Sequence, residues 1–142
     1  SFYFSNISVG THTFKHQSGY NNFVQRNQPL GWYEGSDCRE ISFGANALYN
    51  ESLITIFEIG QREIGEKNII QSPYDIYTVY LDSSFPSGDV ETILYVSGRL
   101  QWWWKQNLSL ITEFEYNDSN RNDKEFQFNI GVDIFYPFNK KI

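Results

Sequence analysis

The segment 125–136 constrains the fold most, because its side chains alternate between apolar and polar or small without a break. The apolar positions are Phe126, Phe128, Ile130, Val132, Ile134 and Tyr136, and the others are Glu125, Gln127, Asn129, Gly131 and Asp133. A two-residue period is the pattern of an extended strand with one apolar face. Since the pattern ends in an aromatic residue and other segments repeat it, we expect lipid to cover the apolar face.

Five earlier segments are also predicted to be strands. They are 1–16, as one long strand or a strand with a kink at Gly10, and 39–49, 53–63, 90–104 and 108–116. The region 17–37 is rich in turn-forming residues and is predicted to be a long loop. The sequence therefore predicts an all-β protein, an antiparallel up-and-down transmembrane β-barrel.

Composition excludes several classes of function. Aromatic residues make up 18% of the chain and the net charge is −6. The 11 basic residues are scattered, so no nucleic-acid partner is expected. Cys38 stands alone, and His12 and His16 lack a nearby thiol or carboxylate, so no metal or cofactor is predicted. No apolar run reaches the roughly 18 residues of a membrane helix, whereas a barrel strand needs only about 9–11.

The lengths of the connections predict which way the sheet crosses the membrane. Short turns at Asn50 and Lys105 alternate with long connections, as in bacterial outer-membrane barrels, whose periplasmic turns are short. This arrangement places four aromatic residues of the apolar face at the periplasmic rim. They are Tyr49, Trp102, Trp104 and Tyr136, with Tyr116 at the opposite rim.

Six strands are fewer than the minimum of about eight in bacterial barrels. An open six-stranded sheet in lipid would leave backbone groups of both edge strands unpaired. We therefore expect residues 1–142 to be the C-terminal part of one larger barrel domain. The sequence contains no Met, and thus no initiator Met, which is expected for a processed chain or a fragment.

Two groups of residues are candidates for function. The predicted lumen-facing residues are Glu58, Arg62, Arg99, Glu113, Glu115 and Asp133, with Glu91, and the predicted glycan-binding loop residues are Tyr20, Arg26, Trp32, Tyr33, Tyr74 and Tyr77. The first group either lines a polar channel or pairs its charges across strands. The second group either stacks on sugar rings or packs the loops. Glu113 and Glu115 resemble a glycosidase pair only in residue type, so we expect no enzyme.

Two resemblances extend this interpretation. Asn129, Gly131, Ile134 and Tyr136 resemble the C-terminal β-signal of outer-membrane proteins, which implies insertion by the barrel-assembly machinery. The region from Thr11 to Arg62 resembles the capsule-assembly, Wzi-like barrel family. Its matching elements include His12, His16, the Gln28-Pro29-Leu30-Gly31-Trp32 loop and Gly35-Ser36-Asp37.

The second resemblance implies a bacterial outer-membrane protein that helps to attach surface polysaccharide without catalysing a reaction. A porin or transporter for small solutes is the alternative within membranes. A soluble lipocalin-like barrel or sandwich that binds an apolar ligand is the alternative outside them.

Overall fold

A computed structural model of the chain describes residues 1–15, 24–26, 28–69 and 84–135. Within these ranges the protein is all-β and its strands are antiparallel, as predicted. The strands are β1 Phe2–Val9, β2 Val24–Gln25, β3 Gln28–Pro29, β4 Cys38–Tyr49, β5 Leu53–Ile64, β6 Glu91–Lys105, β7 Leu108–Ser119 and β8 Glu125–Ile134. Six of them form one open sheet in the order β1-β4-β5-β6-β7-β8, and β2 pairs with β3. Among the described residues the sheet is not closed into a barrel.

The strand register divides the sheet into two chemically different faces, because directly paired residues point to the same side. The polar face carries Tyr3, Glu40, Ser42, Glu58, Arg62, Tyr95, Arg99, Glu113, Glu115, Gln127, Asn129 and Asp133. The apolar face carries Phe2, Phe4, Ile41, Phe43, Phe57, Ile59, Leu94, Leu100, Trp102, Trp104, Leu110, Phe114, Phe126, Phe128, Ile130, Val132 and Ile134.

Two tight turns lie at one end of the sheet, which we call the short-turn end. Asn50 and Glu51 both have positive φ, 47° and 54°, and the Ser52 amide donates to the Tyr49 carbonyl at 3.2 Å. These are the dihedral signs of a type I′ hairpin turn, whose twist matches that of the strands. Residues 106–107 join β6 to β7 at the same end, beside a register shift between Trp103 and Lys105. The opposite end, which carries the longer connections, is the long-loop end.

Two strand ends and one additional hairpin are the main differences from the prediction. β1 ends at Val9 because the chain turns at Gly10, whose carbonyl accepts from the Thr13 amide at 3.0 Å. The predicted loop contains the short β2–β3 hairpin. β7 continues to Ser119 because its polar end still pairs with β6 and β8.

Three glycines of the sheet lie directly opposite aromatic residues of a neighbouring strand. The pairs are Gly44 with Tyr3, Gly60 with Tyr95, and Gly98 with Phe114. A Cβ atom at Gly60 would lie 2.6 Å from the Tyr95 ring, so the ring crosses the glycine backbone. Such pairs help to fix strand register, since a shift of one residue would place a side chain under the ring.

The buried part of the described chain is largely polar and lies toward the long-loop end. Buried apolar residues are Val9, Cys38, Ile69 and Tyr95, and buried polar residues are Ser36, Asp37, Glu40, Ser42, Asn68, Ser87 and Ser109. By contrast, the apolar face is exposed along its length. The sheet therefore lacks the dry apolar centre of a β-sandwich within the described ranges.

Candidate functional site

A cluster of charged and aromatic side chains covers the polar face at the long-loop end. At its centre is Arg62 of β5, whose Nη1 lies 2.7 Å from Oε1 of Glu34 and whose Nε lies 2.8 Å from Oε2 of Glu40. The side chain of Glu40 is only 6% exposed and that of Arg62 is 16% exposed. The Arg62–Glu40 pair is thus well shielded from water, and the Arg62–Glu34 pair ties the loop before β4 to the sheet.

Two aromatic residues of the same loop extend the cluster. The Arg62 guanidinium lies 4.8 Å from the Tyr33 ring centroid, and the Tyr33 hydroxyl donates to Glu40 at 2.8 Å. The Trp32 ring packs against Tyr33 with centroids 4.5 Å apart. Arg62 therefore contacts Tyr33 directly, and Trp32 joins the cluster through Tyr33.

Hydrogen bonds from tyrosine continue the cluster along the face. The Tyr95 hydroxyl lies 3.1 Å from Glu40 and 2.9 Å from Glu58, and Tyr3 also donates to Glu58. Tyr95 is nearly fully buried, and its ring lies 5.0 Å from the guanidinium of Arg62. The network therefore links β1, β4, β5 and β6 through side chains as well as through the sheet.

Burial shifts the pKa values of two side chains at the loop side of the cluster. Desolvation raises the pKa of Glu34, and the adjacent Arg62 guanidinium offsets only part of that shift. Desolvation, together with the hydrogen bond to Glu40, also raises the pKa of the Tyr33 hydroxyl. Tyr33 therefore remains a hydrogen-bond donor throughout the physiological pH range.

Asp37 is a second anchor of the long-loop end. It is fully buried, has a φ of 59°, and accepts hydrogen bonds from the Thr11 hydroxyl at 2.7 Å and the Ser87 amide at 3.0 Å. The Lys67 amide donates to its other oxygen at 3.2 Å. A carboxylate with several donors stabilises the segments that supply them, so Asp37 joins its own loop to the turn after β1 and to the connection between β5 and β6.

The predicted glycan-binding residues divide into three groups. Trp32 and Tyr33 are in contact, as described above. Arg26 lies in the β2–β3 turn, in an open groove of about 560 Å³ lined also by Gln25, Gln28, Pro29 and Leu30. Tyr20, Tyr74 and Tyr77 lie outside the described residues.

The six predicted lumen-facing residues share the polar face but do not form one cluster. Glu58 and Arg62 belong to the network at the long-loop end. Arg99 and Glu113 form a cross-strand ion pair of 3.2 Å, each about half exposed. Glu115 accepts from the Asn117 side chain at 2.9 Å, and Asp133 lies opposite Ser109 near the short-turn end.

The residues of the predicted assembly signal lie on β8. Asn129 and Gly131 are exposed on the polar face, and Ile134 is exposed on the apolar face. Tyr136 lies outside the described residues. This placement agrees with an alternating strand.

Sequence reasoning did not single out Glu34, Glu40, Tyr95 or Asp37 as members of a site. Glu40 and Tyr95 follow the same alternation as the chosen residues, but their partners come from different strands. The pairing of Tyr95 with Gly60 on the polar face depends on the register of β5 and β6, so the sequence alone carries no signal for Tyr95. The contact between Glu34 and Arg62 depends on how the loop folds back and has no such signal.

No protein-family model, curated protein or solved structure matches the chain. In the ranges that the structure describes, no three His, Cys, Asp or Glu side chains are grouped so that they could hold a metal ion. The same ranges contain no helix of the length and apolarity needed to cross a membrane.

Proposed function

We propose that the chain is part of an outer-membrane β-barrel, with its apolar face toward lipid and its polar face toward the lumen. The observation that carries this proposal is the exposure of the apolar face. Phe57, Leu94, Phe128 and Ile130 are 44%, 54%, 56% and 67% exposed, respectively. A contiguous apolar surface of this kind needs an apolar partner, and in lipid the bilayer provides it.

The length of the apolar face fits a bilayer. On β6 it runs from Leu94 to Trp104, ten residues apart. At about 3.4 Å per residue and a tilt of about 40°, this distance spans about 26 Å along the membrane normal, close to the roughly 25 Å apolar band of such barrels.

Aromatic residues at the short-turn end support the same orientation. Trp102 and Trp104 stack with ring centroids 6.3 Å apart, and both are exposed on the apolar face. Tyr49 is exposed on that face at the same end. Tryptophan and tyrosine favour the headgroup region, so these rings would form one interfacial girdle.

The edges of the sheet favour a barrel with further strands. β1 pairs only with β4, and β8 only with β7, among the described residues. Hydrocarbon cannot satisfy the outer backbone groups of these strands, so each edge requires another strand. This argument supports the proposal that the chain supplies only some strands of the complete barrel.

At the long-loop end we propose attachment of surface polysaccharide without catalysis. Support comes from the Trp32–Tyr33 pair, which Arg62 contacts through Tyr33, and from the neighbouring groove with Arg26 and two glutamines. Aromatic rings with nearby amide and guanidinium groups match the apolar faces and hydroxyl groups of sugars.

Tryptophan quenching tests the membrane orientation. The chain is reconstituted in vesicles of lipids brominated near the headgroup end of the acyl chains. We expect fluorescence quenching that survives Trp103→Phe, since Trp103 lies on the polar face, but decreases in Trp102→Phe and Trp104→Phe. A protein that stays monodisperse in plain buffer and shows no quenching would refute the orientation.

Binding of purified capsular polysaccharides to the reconstituted protein tests the attachment role. We expect Tyr33→Ala and Arg26→Ala to weaken retention on a polysaccharide column. Trp103→Phe serves as the control because it lies at the opposite end. Equal retention of all three variants would count against the loop site.

A further inference from the structure

The polar face is covered unequally. At the long-loop end of β4–β6, Glu40, Ser42 and Tyr95 are buried, and Tyr33 and Glu34 fold over this region. Across β7 and β8 the situation differs, since Glu115, Gln127 and Asn129 are exposed. A solute that moved along this face would meet the filled network on one side and an open surface on the other.

The edge position of β8 does not by itself explain this openness. β1 is the other edge strand, yet on the polar face its Ser5 and Ile7 are half-buried and Val9 is buried. The difference arises because the connections at the long-loop end pack toward β1 and β4, through the contacts of Asp37 and Tyr33. The open side is therefore a property of how the loops fold.

A cleft of about 210 Å³ lies on the open side and crosses three strands. Its polar lining consists of Ser97, Arg99, Glu113, Glu115, Gln127 and Asn129. Arg99 and Glu113 neutralise each other at 3.2 Å, so the remaining formal charge is that of Glu115. The two amides supply both hydrogen-bond donors and acceptors.

This chemistry suits a small, uncharged solute with several hydroxyl groups. Each hydroxyl group both donates and accepts hydrogen bonds. The amide and carboxylate groups of the cleft can form these hydrogen bonds in place of water. The single uncompensated carboxylate disfavours anions. The cleft volume of about 210 Å³ is below the roughly 300–1,000 Å³ of typical small-molecule pockets, so the cleft suits only a small solute and excludes a folded domain or a large polymer.

We propose that this open strip, defined by Arg99, Glu113, Glu115, Gln127 and Asn129, is a binding and passage route for small hydroxylated solutes such as monosaccharides. The inference rests on the proposed barrel and is separate from attachment of polysaccharide at the loops. The strip provides successive weak polar contacts, which permit both entry and release.

Swelling of proteoliposomes in isosmotic glucose tests the route in the complete barrel to which the chain is proposed to contribute its strands. We expect Asn129→Trp to lower the swelling rate several-fold, because the indole would fill the cleft. Ile130→Trp is the matched control, since it adds an indole one residue away on the apolar face and should leave the rate unchanged.

A second variant separates blockage from misfolding. The Gln127→Cys variant is first inserted into proteoliposomes and then treated with a bulky methanethiosulfonate reagent. Phe128→Cys is the control, because it lies on the opposite face. The native Cys38 is buried and contributes little background. We expect reagent to slow swelling only in Gln127→Cys.

The outcomes distinguish this inference from the proposed function. Two results would overturn the route and leave the membrane orientation intact. The first is quenching by brominated lipid with no glucose uptake. The second is quenching with glucose uptake that neither the indole nor the reagent reduces. Absence of both quenching and uptake would overturn the two together.

Discussion

Replacing Ile130 by arginine tests directly which medium the apolar face meets. Ile130 is 67% exposed and lies midway between Phe126 and Ile134, the first and last apolar positions of β8. Four residues at about 3.4 Å each, on a strand tilted by about 40°, place it about 10 Å from either end of this apolar stretch. It would therefore lie near the centre of the bilayer.

The expected size of the effect follows from this depth. Arginine on the lipid face near the midplane costs about 2–4 kcal/mol, which lowers the folding equilibrium constant by about 30- to 700-fold. Ile134→Arg, near the interface, should cost only about 0–1 kcal/mol. If water covered the face, an exposed substitution at Ile130 would change stability by no more than about 0.5 kcal/mol.

Reversible urea unfolding from lipid vesicles, followed by tryptophan fluorescence, measures these differences. Asn129→Arg provides the control, because it introduces the same side chain one residue away on the polar face. We expect the order of destabilisation to be Ile130→Arg, then Ile134→Arg, then Asn129→Arg. Equal free energies of unfolding for the arginine variants at 129 and 130 would refute the reasoning.

Three further predictions concern stability in the same unfolding assay. Arg62→Ala should lower the free energy of unfolding by about 3–5 kcal/mol, because it leaves a shielded carboxylate without its cation. Arg99→Ala, at an exposed pair, should lower it by less than about 1 kcal/mol. Similar values for the two variants would contradict the difference in burial. Gly60→Ala should destabilise by about 1–3 kcal/mol through a clash with a tyrosine ring, whereas Gly131→Ala, with open space around it, should be neutral or stabilising. Glu51→Gly should raise the free energy of unfolding by up to about 1 kcal/mol, since glycine adopts positive φ without strain; a loss of stability would argue against the type I′ turn.

Sequence patterns predicted the strands well because alternation is a local property. Each of β4–β8 lies within a few residues of its predicted position, and the Asn50-Glu51 turn is present. Errors occur where a distant partner decides the structure. β7 extends through Asn117 because that residue pairs with Glu125, and polar composition alone gave no sign of this pairing.

The candidate site was less predictable than the fold. Trp32 and Tyr33 were chosen for their chemistry, but no pattern indicated that Arg62, nearly thirty residues later, would contact Tyr33. Likewise, the alternation of side chains assigned Arg99 and Glu113 to one face, whereas their direct pairing depends on the register of β6 and β7. Contacts between residues far apart in the chain require the register and the path of the loops.

By itself, the sequence determined the two-faced character of β8 and of most of β4, since consecutive side chains of an extended chain must point to opposite sides. It also determined the position of the tight turn between β4 and β5, through Asn50, since asparagine adopts positive φ more readily than most residues. Only the tertiary structure decided that one half of the polar face is filled and the other open. The reason is physical: Arg62, Glu40 and Asp37 find their partners through loop folding, and the free energy of those shielded polar contacts depends on burial that no local pattern encodes.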